Sequence, residues 1–328
     1  MIAETIDPGE VRFFAGSSNG PLAADIAQLL GVPLDGVSVT KFSNDNLYIQ
    51  LGASVRSREV FIVQSLSPPV NDHLMELLMM LDIARGAGAK AVHAIIPYFS
   101  FARSDKKDAP RICITARLVA DLLETAGATH VMTMVLHSPQ VHGFFGVPTD
   151  PLASRQAFNR YFLACDLTGA VVIAPDLGHA KAAARFAKDL GLPVAAGNKE
   201  RLSDTTVRVT SIVGPPLEAF RCAVVYDDEI ATGGSVVELC DRLIQEGISD
   251  IRVACTHGVF VRNALPRIAA IEQVREIVTT DTVYMPPERR HPKLTVLSAA
   301  PMFADAIRRN YYRQSIGHLV ACGDADPV

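Results

Sequence analysis

Short apolar runs alternate with amphipathic segments along the whole chain. Arg12 to Gly16 is apolar and ends in Gly-Ser-Ser-Asn-Gly, and Pro21 to Leu30 then repeats its apolar positions at helical spacing, which predicts a strand–loop–helix unit. Leu47 to Leu51 alternates as a strand, and Glu59 to Gln64 reads as a buried one. Asp72 to Ala87 has helical periodicity, with Met and Leu on one face as core packing. The strand predicted at Ala91 to Pro97 empties into the segment from Tyr98 to Asp108, where aromatic side chains mix with dense charge. A helix over Ile114 to Thr125 and a strand from His130 to Leu136, ending at His137, complete one round.

A second round follows. Ala170 to Ala174 is predicted as a strand closing on Pro175-Asp176-Leu177-Gly178, with its helix at Ala180 to Leu190. Leu192 to Ala196 is short and apolar, and Gly197 to Thr206 is polar, charged and without periodicity, the pattern of a loop. Cys222 to Tyr226 is a buried strand followed by a helix to Glu246, and further strands fall near 251–255, 277–279 and 294–297. This alternation predicts an α/β protein of two doubly wound parallel-sheet domains. Residues 1–152 form the first and 153–311 the second, and the closing helix, Met302 to Arg309, and the tail 312–328 are expected to return to the first.

Length changes the picture little, since 328 residues suit two domains with real cores. A net charge of -4 argues against a general binder of nucleic acid or anionic membrane, and the absence of Trp removes stacking platforms for single strands. No apolar run approaches the ~20 residues of a membrane helix, and the amino terminus lacks the pattern of a signal peptide. The six cysteines show no paired or zinc-type spacing and read as reduced thiols, so a cytoplasmic location is expected.

The most informative stretch is Val224-Val225-Tyr226-Asp227-Asp228-Glu229-Ile230-Ala231-Thr232-Gly233-Gly234-Ser235. A strand, two carboxylates, a glycine turn and a helix start follow one another. Glycines let the backbone approach a ligand, and free amides at a helix N-terminus favour an anion. Asp227 and Asp228 would repel that anion, so their natural partners are sugar hydroxyls or a metal. A phosphate beside a polyol describes a ribose phosphate. This order resembles the ribose-phosphate loop of type I phosphoribosyltransferase folds.

Taken with Val70 to Leu78, Ile96-Pro97-Tyr98-Phe99 through Lys107, Ile114-Thr115-Ala116-Arg117 and Gly143-Phe144-Phe145, the chain resembles ribose-phosphate diphosphokinase, also called PRPP synthetase, nearly end to end. The resemblance implies transfer of a diphosphoryl group from ATP to the anomeric hydroxyl of ribose 5-phosphate, with Mg2+ as cofactor and catalysis by positioning and electrostatics. It implies ribose-phosphate binding by Asp227, Asp228 and Ala231 through Ser235 (Thr232, Gly233, Gly234), and a catalytic pair, Lys199 and Arg201. It further implies metal ligands His137 and Asp176, and an ATP site made by Phe42, Asn44, Asn46, Arg103, Ser104 and Asp108. Arg56 and Arg111 match a regulatory phosphate site, and a homo-oligomer, a hexamer built from dimers, is implied as well. Taken singly, a histidine at a strand end is often structural, an acid after a strand is often a helix cap, and Lys-x-Arg is often solvated surface.

The chain departs from the family pattern in four places. Phe42-Ser43-Asn44-Asp45-Asn46 replaces two acids by amides, Ser104 stands for Gln, Val135 for the acid before Leu136-His137, and Ala231 for an acid in the ribose-phosphate loop. The alternatives to an active enzyme are an inactive subunit associated with an active relative, or a phosphoribosyltransferase that consumes PRPP.

Overall fold

A computed structural model of the chain describes residues 6–201 and 207–320. It divides into two compact units, Met1–Ala153 with Thr282–Tyr284 and Ser298–Val328, and Ser154–Asp281 with Met285–Leu297.

Unit 1 contains β1 (Val11–Ala15), α1 (Gly20–Leu30), β2 (Val37–Lys41), β3 (Leu47–Leu51), β4 (Glu59–Val63), α2 (Val70–Gly86), β5 (Ala91–Ile96), α3 (Thr115–Ala126), β6 (His130–Met134) and β7 (Thr149–Leu152). Five strands pair in parallel in the order β1-β4-β5-β6-β7, while β2 and β3 form a separate antiparallel hairpin. α1 starts where the Asn19 side chain accepts a hydrogen bond from the Leu22 amide, has Pro21 in its first turn, and stops at Gly31 with φ 72°. α2 and α3 share a core with one face of the sheet, through Leu77, Leu81, Val119 and Leu123 against Val60, Ile62, Ala94 and Val131.

Unit 2 contains α4 (Arg155–Phe162), β8 (Ala170–Ala174), α5 (Ala180–Leu190), β9 (Val194–Arg201), β10 (Val207–Val213), β11 (Cys222–Ile230), α6 (Gly234–Gln245), β12 (Asp250–Gly258), α7 (Ala264–Ala269), β13 (Val274–Thr280) and β14 (Leu294–Leu297). Its seven strands run β10-β9-β8-β11-β12-β13-β14, all parallel except β10. Side chains alternate faces along each strand. Val171, Ile173, Ala223 and Val225 pack with α6 and α7, whereas Val172, Ala174, Val224 and Tyr226 pack with α4 and α5.

α8 (Ala300–Tyr311) belongs to unit 1, where it packs against α1, so a single cut with 153–311 as the second domain does not describe the chain. Phe303 and Ile307 are fully buried, and the Arg308 guanidinium donates to the Leu29 carbonyl at 2.7 Å. The tail residues 312–320 stay in unit 1, the Ala153 amide donating to the Leu319 carbonyl at 2.8 Å, and residues 321–328 lie outside the described residues.

A second correction concerns the segment read as an aperiodic loop. Residues 197–201 continue β9, and they pair antiparallel with β10 from Arg201↔Val207 to Ala196↔Val213. The physical reason is that β10 is an edge strand, so the hairpin is held by backbone hydrogen bonds with no need of an apolar alternation. β2, β7, α4 and α7 were also absent from the sequence prediction, being short or carrying Pro151 and Pro266. Among the described residues, no helix is long and apolar enough to cross a membrane.

The second face of the unit 1 sheet carries a buried polar chain. His93 Nδ1 lies 3.0 Å from His130 Nδ1, Asn310 of α8 donates to that same His130 nitrogen at 3.1 Å, and His130 Nε2 lies 2.7 Å from an Asp150 carboxylate oxygen. His93 stacks on Phe61 at 4.4 Å, and burial, followed by the neighbouring His130 charge, lowers its pKa to about 3. The unfolded imidazole takes up a proton below its ordinary pKa of about 6.5, and the folded one does not until much lower pH. This contribution to stability is therefore complete above the unfolded pKa and is lost as pH falls from there toward about 3. The expected slope is about 1.4 kcal/mol per pH unit in that window. Urea midpoints measured from pH 7 to 4 should fall less steeply for His93→Gln than for the parent, and identical slopes would contradict the assignment.

Candidate active site

The strand order of unit 2 reverses at β8. From β8 the chain moves outward to β9 and β10, then returns to place β11 on the other side of β8. Their following helices pack on opposite faces, α5 with Phe186 in one core and α6 with Leu239 in the other. No connection then crosses the gap between the carboxyl ends of β8 and β11, which is where open α/β sheets bind ligands.

β11 outruns its neighbour. Its pairing with β8 ends at Val225↔Ile173, while its pairing with β12 continues to Ile230↔Gly258. Asp227 and Asp228 therefore lie within the strand and not beyond it, on the stretch that faces the gap. Asp228 is buried, at 7% exposure, and its amide donates to an Asp227 carboxylate oxygen at 2.9 Å. Across the gap, β8 turns through Pro175-Asp176-Leu177-Gly178, and the Asp176 carboxylate accepts the His179 amide at 3.1 Å. That bond closes the turn ahead of α5, whose cap residue is His179, and Asp176 remains half-buried.

His179 completes the arrangement. Its ring lies 5.7 Å from that of Tyr226, and ligand atoms of His179, Asp227 and Asp228 all fall within 4.8 Å of one another. Sequence reasoning missed His179. The only signal was a polar residue three positions after Asp176 at a strand–helix turn, and nothing in the sequence tells which strand end that turn will face.

The glycine turn behaves as its composition demands. Gly233 caps α6 at φ 73°, and a Cβ there would sit 3.1 Å from the Ile268 Cδ1. No side chain caps α6, so its first amides point past the turn. The loop is pinned from behind, since the Phe260 and Val261 amides donate to the Ile230 and Ala231 carbonyls, each at 3.0 Å. Thr232 and Gly234 are exposed and Ser235 is half-buried. Gly197 of β9 passes so close to the β8 turn that a Cβ would meet the Pro175 carbonyl oxygen at 2.7 Å. The backbone of Lys199 and Arg201 is in β9, opposite Val209 and Val207, while their side chains lie outside the described residues.

Unit 1 holds the remaining candidates on separate segments. Phe42, Asn44 and Asn46 occupy the β2–β3 turn, where the Phe42 amide donates to the Asn46 carbonyl at 2.8 Å and Asn44 Oδ1 accepts the Asn46 amide at 3.3 Å. Phe42 is 54% exposed with its ring 5.8 Å from Tyr48. Arg103, Ser104 and Asp108 line a cavity of about 350 Å³ with Ser100, Phe101 and Lys106. Among the described residues that line it, Phe42, Asn44 and Asn46 do not appear. Ser104 also ties its loop together, donating to the Cys113 carbonyl at 3.1 Å and accepting the Thr115 amide at 3.2 Å.

His137 is exposed, two residues past Val135, which has φ 41°. A β-branched residue in the left-handed region is strained by roughly 1–3 kcal/mol, a feature that clusters at functional strand ends. Arg56 and Arg111 lie exposed on different loops, Arg56 beside Gly88 and Arg111 with φ 64°.

Fold and strand-end chemistry define an α/β protein of the open-sheet, ligand-binding kind. Residues 11–127 match the N-terminal domain of ribose phosphate pyrophosphokinase, and residues 211–321 match the phosphoribosyl synthetase-associated domain. A ribose-phosphate pyrophosphokinase of Deinococcus radiodurans is 47% identical over 93% of this chain and 96% of its own length. One from Bacillus caldolyticus is 38% identical over 94% and 98%. The crystal structure of a phosphoribosylpyrophosphate synthetase from Mycobacterium smegmatis superposes with a TM-score of 0.86 at 34% identity, covering 93% of this chain and 99% of that one. The chain belongs to the ribose-phosphate pyrophosphokinase family.

Gly233→Ala should lower the stability of unit 2 by about 1–2 kcal/mol, from positive φ and crowding against Ile268. Gly234→Ala, with the nearest atom at 4.0 Å and no positive φ, should be neutral or slightly stabilising. Denaturant titration of both variants checks the pair, and equal losses would contradict the geometry of the turn.

Proposed function

We propose that this chain is an active ribose-phosphate diphosphokinase. It transfers the diphosphoryl group of ATP to the C1 hydroxyl of ribose 5-phosphate, giving PRPP and AMP. The C1 oxygen forms the new bond to the β-phosphorus, the bond from that phosphorus to the oxygen bridging it to the α-phosphorus breaks, and AMP leaves with the bridging oxygen. One observation carries the reading above the others. The carboxylate pair and the uncapped α6 turn lie at the strand-order reversal of a chain related over nearly its whole length to ribose-phosphate pyrophosphokinases.

In this reading the amides of Gly233, Gly234 and Ser235 and the Thr232 hydroxyl take the 5-phosphate, as an uncapped helix N-terminus favours. Asp227 and Asp228 accept hydrogen bonds from the ribose hydroxyls and orient the sugar, while Ala231 leaves room without adding a contact. Lys199 and Arg201 stabilise charge on the diphosphoryl group in transit, the Arg by a two-pronged contact and the Lys as a point charge. At an ATP site shared with a neighbouring subunit, Phe42 and Arg103 hold the adenine between them, the amides of Asn44 and Asn46 read its edge, and Ser104 and Asp108 border that pocket. Asn44 has its carbonyl oxygen engaged by the turn, which leaves its amino group as the reader.

The donor set suits a divalent cation. His137 and Asp176 would hold Mg2+ together with the nucleotide phosphates and water, and the carboxylates of Asp227 and Asp228 add hard oxygen donors beside His179. When bound, the ion neutralises phosphate charge as the diphosphoryl group moves. Arg56 and Arg111 serve a regulatory phosphate, and the chain works in the cytoplasm as a homo-oligomer assembled from dimers.

A second reading, a subunit that assembles with an active relative without turning over, is favoured by Val135 and Ala231, each apolar where the family pattern has an acid. One experiment separates the two. Phosphorus NMR of the full chain with ATP, Mg2+ and ribose 5-phosphate should show PRPP and AMP appearing together. Lys199→Ala should lower kcat by about 10²–10³-fold. Asp228→Asn should cut kcat/KM for ribose 5-phosphate by roughly 10-fold or more, the loss of a hydrogen bond to a charged acceptor. A folded parent that forms no PRPP from any nucleotide would overturn the enzyme reading.

A further inference from the structure

At the end of the unit 2 sheet remote from Asp227, the amino-terminal ends of β12, β13 and β14 enclose a cavity of about 410 Å³. Its walls carry three cations, Arg252, Arg275 and Lys293, two acids, Asp166 and Glu276, and Tyr161. Arg252 is the unusual member. It is only 4% exposed, its Nη2 donates to the Asp166 carbonyl at 3.2 Å, and its Nε and Nη1 are buried with no hydrogen-bond partner. No carboxylate among the described residues forms an ion pair with it.

The carboxylates of Asp166 and Glu276 make no direct bond to the guanidinium, although the Arg252 charge acts on the Asp166 carboxylate. Glu276, opposite Arg252 in the β12–β13 register, accepts hydrogen bonds on Oε1 from the Tyr161 hydroxyl and from Thr295 at 2.7 Å. Asp166 turns its carboxylate to the Thr168 amide at 3.0 Å. Of the other cations, Arg275 is largely exposed and 3.4 Å from Asp250, while the Lys293 ammonium donates to the Ala269 and Ile271 carbonyls. A buried guanidinium with two unpartnered nitrogens is costly, and an anion with several acceptor oxygens lowers that cost. A bare anion would also meet Asp166 and Glu276. A ligand that presents hydroxyl donors to those two carboxylates, and its anionic end to the arginines, avoids the repulsion and uses the full volume.

We propose that this cavity is a second small-molecule site, which binds a phosphomonoester of a polyol with its phosphate against Arg252 and Arg275 and its hydroxyls toward Asp166 and Glu276. The site is separate from the strand-order reversal and does not depend on the proposed reaction.

The test is calorimetric titration of the full chain carrying Asp227→Asn and Asp228→Asn, which weakens sugar-phosphate binding at the carboxyl ends. Glycerol 3-phosphate, ribose 5-phosphate and inorganic phosphate are the probes. Binding of the two esters at one site per chain, weakened at least 10-fold by adding Arg252→Met, is the expected result. Should Arg252→Met fail to fold, Arg275→Ala on the exposed rim carries the same comparison. Ester binding indifferent to both substitutions would overturn the proposal, as would an Arg252→Met chain that is more stable than its parent and binds every probe equally well. Inorganic phosphate binding as tightly as the esters would assign the cavity to the free ion and overturn the polyol part.

Discussion

Parallel pairing of β8 with β11, under a strand order that reverses between them, is the constraint on which unit 2 depends. Two parallel neighbours whose helices leave on opposite faces cannot close the space above their carboxyl ends. β11 then runs past β8 while β12 continues to support it, so the stretch from Tyr226 to Ile230 has a strand neighbour on one side only. The two carboxylates and the approach to the glycine turn belong to that unsupported side. A strand that stopped level with β8 would have left the same residues in a loop, with no rigid element to aim them.

The chain accepts local costs around this opening. Asp228 is buried beside another acid, Gly233 occupies a conformation that side chains avoid, and Gly197 lets β9 pass against the Pro175 carbonyl at a separation that no Cβ tolerates. In unit 1, Val135 is held at positive φ on the way to His137. The compensation comes from the layers beneath. Val171, Ile173, Val225 and Leu239 are fully buried on one face, and Val172, Phe186 and Val224 on the other. Strained and polar groups persist at strand ends because the surrounding apolar packing over-determines the backbone there.

Much of this was legible from local pattern. The apolar runs of β1, β4, β5, β8 and β12 fall where their composition places them, as do the stripes of α1, α3 and α5, because period-2 and period-3.6 signals depend on the residues themselves. The turn Thr232-Gly233-Gly234-Ser235 was legible for the same reason, since glycine takes the positive φ at Gly233 with the least strain. β9 beyond Ala196 and all of β10 were not. Their strandness comes from pairing with each other, which a polar edge sequence does not announce.

The amino-acid sequence by itself determined the class of fold, the chemistry at the end of β11, and the family to which the chain is related, all of which reside in contiguous stretches. Tertiary structure alone decided which strand ends face one another. His179 meets Asp227 and Asp228 across some fifty residues of chain, α8 returns to unit 1 to give Asn310 to His130, and Arg252 is buried at the far end of the sheet with two nitrogens unpartnered. Each is a contact between segments whose separation is set by strand order. Strand order follows from how helices cover the two faces of a sheet, a property of the assembled layers and of no single segment.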